Sequence, residues 1–178
     1  MDTIQGKFRR INTVTGWILF VISSFVYLLT LEPTVSFWDC GEFILSAFRL
    51  QVGHPPGAPL FLMIGRIATM FAGGDTSKVA MAMNALSAVS SGLAIMFLFW
   101  TITHLVRKVI ASGETLSEDK IPAITGSGII GALAYTFSDT FWFSAVEGEL
   151  YALSSLVTGL VFWGMLKWEE EADKPYAG

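Results

Sequence analysis

Charge is what this sequence has least of: only 15% of its 178 residues are Asp, Glu, Lys or Arg, while 53% are hydrophobic. An ordinary soluble domain carries about a quarter charged residues, so this balance, with a mean hydropathy of +0.58, excludes such a domain and makes lipid part of the solvent. Cysteine is nearly absent. On the sequence alone, the single Cys40 excludes an intrachain disulfide and a Cys-based zinc site. Basic runs are missing beyond the N-terminal group Lys7, Arg9 and Arg10, and the net charge is −4, which leaves no footprint for a nucleic-acid partner. There is also no Ser-His-Asp-type signature, no Gly-rich phosphate loop and no internal repeat of useful length.

What the chain does have is apolar runs. Crossing about 30 Å of hydrocarbon takes about 20 mostly apolar residues, and the pattern predicts an all-α integral membrane protein with four transmembrane helices, at about 14–31, 79–106, 121–137 and 150–166. A cleaved signal peptide is the competing reading of 14–31, but no small-x-small site follows, and the chain continues Glu32-Pro33-Thr34. Small residues in 79–106 (Ala80, Ala82, Ala85, Ala88, Ser91, Gly92) and Gly126, Gly128 and Gly131 in the third run suit close helix packing in lipid.

Residues 32–78 are too polar for one clean span. Two interfacial helices are expected there, at about 42–50 and 58–72, separated by the Gly53-His54-Pro55-Pro56-Gly57 break. The alternative takes 59–72 as a further span carrying Arg66. A polar loop is expected over 112–120. In the four-span reading Lys7, Arg9, Arg10, Arg107, Lys108 and Lys167 share one side, which the positive-inside rule makes cytoplasmic along with the N-terminus. Asp39, Glu42, His54, Glu147 and Glu149 share the other.

This topology gathers two acidic motifs distant in sequence, Trp38-Asp39-Cys40-Gly41-Glu42 and Glu147-Gly148-Glu149-Leu150-Tyr151. Asp39 and Glu42, three apart, fall on one helix face, and carboxylates near hydrocarbon need a partner, a metal, a substrate or water. Each has a plainer explanation. Asp39 suits a helix N-cap, His54 a turn, and Arg49 and Arg66 can snorkel to headgroups; Arg66 also suits pairing with a carboxylate or a lipid phosphate. Glu147 and Glu149 stand beside Trp142 and Tyr151, the aromatics expected at an interface. Paired acids could hold Mg²⁺ or Mn²⁺ through oxygen ligands; no cofactor is otherwise indicated.

The stretches Leu31-Glu32-Pro33-Thr34-Val35 with Phe37-Trp38-Asp39-Cys40-Gly41-Glu42-Phe43, then Gly53-His54-Pro55-Pro56-Gly57-Ala58-Pro59-Leu60, then Val146-Glu147-Gly148-Glu149-Leu150-Tyr151-Ala152-Leu153, carry a resemblance. The chain resembles a bacterial family of multi-pass membrane proteins of formerly unknown function, similar to the eukaryotic transmembrane O-mannosyltransferases that act on plexin-type Ig-like domains. The resemblance implies the membrane glycosyltransferase architecture called GT-C. It implies transfer of a sugar, mannose by expectation, from a polyprenyl-phosphate carrier to Ser or Thr hydroxyls of a protein acceptor, with inversion at the anomeric centre.

Carried over by residue, Asp39 takes the catalytic-acid position of the first outside loop and Glu42 the position beside it. His54, Glu147, Glu149 and Tyr151 fall in the other two motifs, as substrate or phosphate contacts, and Arg66 is added as a possible phosphate partner. The implied location is a bacterial inner membrane with the active face periplasmic. Family members have many more spans, so the chain is expected to be the N-terminal portion, a fragment or one half of a split protein. Two readings from other classes stay open: a small helical transporter or channel subunit, and a non-catalytic assembly partner.

Overall fold

Residues 2–110 and 116–172 are described by the computed structural model, and within them every regular element is helical. The chain runs α1 (Asp2–Leu29), α2 (Cys40–Arg49), α3 (Pro59–Met70), α4 (Val79–Ile110), α5 (Ile121–Thr136), α6 (Asp139–Ala145) and α7 (Leu150–Ala172). Single 3-10 turns, Thr76–Lys78 and Glu118–Lys120, lead into α4 and α5. Part of the polar loop expected at 112–120 lies outside the described residues.

Three helices, α1, α4 and α7, are long and apolar enough to cross a membrane, and a fourth crossing is available if α5 and α6, bent by 68° at their junction, are taken as one broken span. At 1.5 Å per residue, α3 is only about 18 Å long. It is too short to cross the hydrocarbon alone, and its Pro59 occupies the first turn, where a missing N–H costs nothing.

Helix α4 is the axis of the bundle. Of its most apolar stretch 56% is buried, against 28% for α1 and 11% for α7, because its small residues admit three neighbours. A Cβ added at Gly92 would stand 2.0 Å from Ser24 Oγ and 3.2 Å from the Phe20 carbonyl, so α1 and α4 touch nearly backbone to backbone. Gly128 serves the α4–α5 contact in the same way, with Thr103 and Phe99 inside 3 Å of its Cβ position. Gly126, expected to share that role, faces open space.

The long helices alternate in direction. Near the α4 C-terminus, Arg107 pairs with Glu170 of α7, Trp100 Nε1 donates to the Asn12 carbonyl (3.1 Å), and Phe8, Ile121 and Ile124 form a small core. At the other end Tyr27 donates to the Thr136 carbonyl (2.9 Å), and the Glu32 N–H donates to the Val146 carbonyl (3.2 Å). Residues 138–148, which connect the third and fourth expected spans, contain α6. Ser138 accepts the Trp142 N–H (2.9 Å), and Phe141 and Ala145 bury beside Tyr27, so an apolar face draws the segment back onto the bundle.

Candidate active site

Helix α2 lies across this second end and carries the first acidic motif. Phe43, Ile44 and Ala47 face inward against α3 and α4, packing with Phe61, Leu62 and Met83. That burial turns the preceding residues outward. Trp38 is 86% exposed, with a left-handed φ of 61°, and Asp39 follows it into solvent. Asp39 occupies the N-cap position of α2, yet its carboxylate makes no capping hydrogen bond. The capping role that could have explained this residue is therefore unfilled.

One turn on, Glu42 holds the loop that follows α2. Its Oε1 accepts the His54 backbone N–H (2.6 Å), and its Oε2 meets His54 Nδ1 at 3.1 Å. The two contacts lower the Glu42 pKa, and the backbone bond is the larger cause. The same carboxylate raises the His54 pKa, first by hydrogen bonding and then by its charge. Gly53 makes the approach possible, since a Cβ there would stand 3.3 Å from Glu42 Oε1. Asp39, Glu42 and His54 each offer a donor atom within 4.8 Å of the other two.

The second acidic motif lies beneath, buried. The Ser36 hydroxyl donates to Glu147 Oε2 (2.5 Å), and the Cys40 thiol donates to Glu149 Oε1 (3.6 Å). Burial pushes the Cys40 thiol up to about 12, with the charges of Glu147 and Glu149 adding to it. Burial likewise raises the Glu149 pKa; the Cys40 thiol pulls it back in part, and the Glu147 and Asp39 charges push it further up. Cys40, Glu147 and Glu149 form a second group of donor atoms within 4.8 Å of one another. Asp39 and Cys40, adjacent in sequence, thus join an exposed carboxylate–imidazole group to a buried carboxylate–thiol group.

Two expected members stand apart. Arg66 Nη1 donates to the Phe48 carbonyl (2.7 Å) in the last turn of α2, and its guanidinium lies over the Phe48 ring at 5.5 Å. It closes a helix end rather than meeting a carboxylate. Tyr151 is 59% exposed on α7 and makes no hydrogen bond among the described residues. Three participants were not foreseen: Ser36, Cys40 and Asn84. The Asn84 amide, fully buried on α4, donates to the Glu32 carbonyl (2.6 Å) and the Thr34 carbonyl (3.0 Å), pinning the loop before α2. A polar residue in an apolar helix was the available signal, since such a residue needs a partner.

Fold and site together define a helical chain of membrane type, with its acids and imidazole gathered at one end of the bundle. A family model described as the N-terminal domain of protein O-mannosyl-transferase TMEM260 matches residues 39–177, which include the acids of both motifs. The chain belongs to this family. It is 28% identical over 149 residues to protein O-mannosyl-transferase tmem260 of Dictyostelium discoideum, covering 83% of this chain and 16% of that protein. It is 31% identical over 146 residues to protein O-mannosyl-transferase TMEM260 of Mus musculus, covering 82% of this chain and 18% of that protein. The chain therefore spans less than a fifth of the length of these curated relatives. No solved structure matches it significantly.

Proposed function

We propose that the chain is the N-terminal catalytic portion of a membrane glycosyltransferase of GT-C type. It moves mannose from a polyprenyl-phosphate carrier to Ser or Thr hydroxyls of a protein on the non-cytoplasmic, periplasmic face of a bacterial inner membrane. The observation that carries this reading is Asp39: an exposed carboxylate at a helix N-terminus, spent on no cap, with the Glu42–His54 pair within 4.8 Å. Protein O-mannosyl transfer, the activity for which the family is named, calls for such a group.

In this reading the acceptor hydroxyl attacks the anomeric carbon, the bond from that carbon to the carrier's phosphate oxygen breaks, and Asp39 takes the hydroxyl proton as it attacks. The departing phosphate is already anionic, so it calls for positive charge more than for a proton. His54 supplies that charge: Glu42 occupies its Nδ1 and favours the imidazolium, and Nε2 makes no hydrogen bond among the described residues. Glu42 is then a positioning residue. Glu147 and Glu149, taken as substrate contacts from the resemblance, act in this account from below, by holding the loop that presents Asp39. A transport pathway would place ionisable groups along the spans, whereas these acids sit together at one end.

The test is sugar transfer by membranes carrying the complete reading frame, supplied with radiolabelled polyprenyl-phosphate-mannose and a mixed protein acceptor. Asp39→Asn, equal in size and expressed to the native level, is expected to lose about 10²–10⁴-fold in rate. Transfer equal to that of the native protein would remove Asp39 from the mechanism.

A further inference from the structure

We propose that Cys40, Glu147 and Glu149 bind a divalent transition-metal ion of the zinc or cobalt kind, beside the unpartnered amide oxygen of Asn84. The inference stands independently of the sugar-transfer reading.

The starting point is a charge imbalance. Cys40 is fully buried, and Glu147 and Glu149 are 5% and 7% exposed. Among the described residues their carboxylates accept hydrogen bonds only from the Ser36 hydroxyl and the Cys40 thiol, and neither glutamate forms an ion pair. Two carboxylates shielded from water and close together are neutralised either by a shared proton or by a cation.

A second observation comes from a different helix. Asn84 spends its amide N–H groups on two carbonyls of the first loop, which turns Oδ1 the other way, and that oxygen is buried without any donor. It lies 2.9 Å from where a Cβ on Gly148 would stand, so it points into the turn that joins the two glutamates. A proton on Glu149 would ease the repulsion between the two carboxylates, whereas a dication would neutralise both at once and draw on the Cys40 sulfur as a third ligand.

The donor set narrows the ion. Magnesium and calcium take oxygen ligands, whereas a thiolate with carboxylates suits zinc and its neighbours in the first transition row. On binding, the Cys40 S–H bond breaks, the sulfur–metal bond forms and the proton leaves to solvent, so each bound ion releases one proton and affinity rises with pH. The bound ion would tie the N-terminus of α2 to the second acidic motif and so fix Asp39, one residue before Cys40.

The test is a cobalt(II) titration of the chain in lipid nanodiscs. Cys40 is its sole cysteine, so a thiolate-to-cobalt charge-transfer absorption reports on this position alone. The expected result is a saturable one-to-one band that zinc displaces, that strengthens with pH and that is lost in Cys40→Ser. In Glu149→Gln, which keeps the side-chain volume, affinity should fall by about tenfold or more. Absence of the band in native protein with intact helical circular dichroism would overturn the proposal, as would an unchanged titration in Glu149→Gln. Cobalt bound without a thiolate band, at the exposed Asp39–Glu42–His54 group for instance, counts equally against it.

Discussion

A carboxylate that binds a backbone N–H and the imidazole of the same residue sets both the path of a loop and the charge on its ring. Glu42 does this to His54, and the consequence is a pH window. The His54 pKa is raised in the fold, so its share of the clamp is complete below the ordinary histidine range and is lost as pH climbs through the raised value. The Glu42 pKa is lowered, so its share is present above the ordinary carboxylate range and is lost as pH falls through the lowered value. Between those limits the loop is held. In Glu42→Gln the His54 ring resonance, followed by NMR, should titrate close to the ordinary histidine value, clearly below its native midpoint, and exchange of the His54 amide should quicken. An unmoved His54 midpoint would mean that the pair does not form in the membrane-embedded protein. Asp39, Glu42 and His54 were legible in the sequence because three-residue spacing and one Gly-Pro break suffice to gather them. Ser36, Cys40 and Asn84 were not, since their partners lie 50 to 111 residues away in the chain and only the packed bundle pairs them.

Between elements, composition foretold that α4 would pack closely against neighbours but not which glycines would meet one. Gly92, Gly126 and Gly128 look alike in sequence; two lie under a facing helix and one does not, because the direction a residue faces depends on crossing geometry that only the assembled bundle fixes. The distinction can be measured. Gly92→Ala places a methyl against Ser24 and the Phe20 carbonyl, forces α1 outward and should cost about 1–3 kcal/mol, the usual penalty of overpacking. Gly126→Ala adds the same methyl to open space and should stay within about 0.5 kcal/mol of native. Thermal unfolding of both variants in the same detergent checks the contrast; equal losses would argue against the α1–α4 approach described here. Residues 138–148 make the related point for loops. Their polar ends read as a connection, whereas the helix α6 between them follows from burial of Phe141 and Ala145 against a helix far earlier in the chain.

For the whole molecule, the separation of charge is the feature that sequence and structure share. Arg107, Lys108 and Lys167 sit at one end of the bundle with acidic partners, and Asp39, Glu42 and His54 sit at the other. Sidedness and crossing number can be read in one experiment on this chain, because its one cysteine is buried and a Cys40→Ser background leaves it none. Val52 is 93% exposed in the loop between α2 and α3, Val109 is 78% exposed near the end of α4, and Phe143 is 53% exposed on α6. Placed singly at these positions, cysteines at 52 and 143 should react with an impermeant maleimide only in right-side-out membrane vesicles, and a cysteine at 109 only in inverted ones. The pattern discriminates between topologies. If α3 also crossed, 52 and 109 would share a side. If the α5–α6 pair turned back instead of crossing, 143 would join 109. Agreement of 52 with 143 and opposition of 109 would leave one crossing by α4 and one by the bent pair, and would place the Asp39 carboxylate on the membrane face opposite the basic end of the bundle.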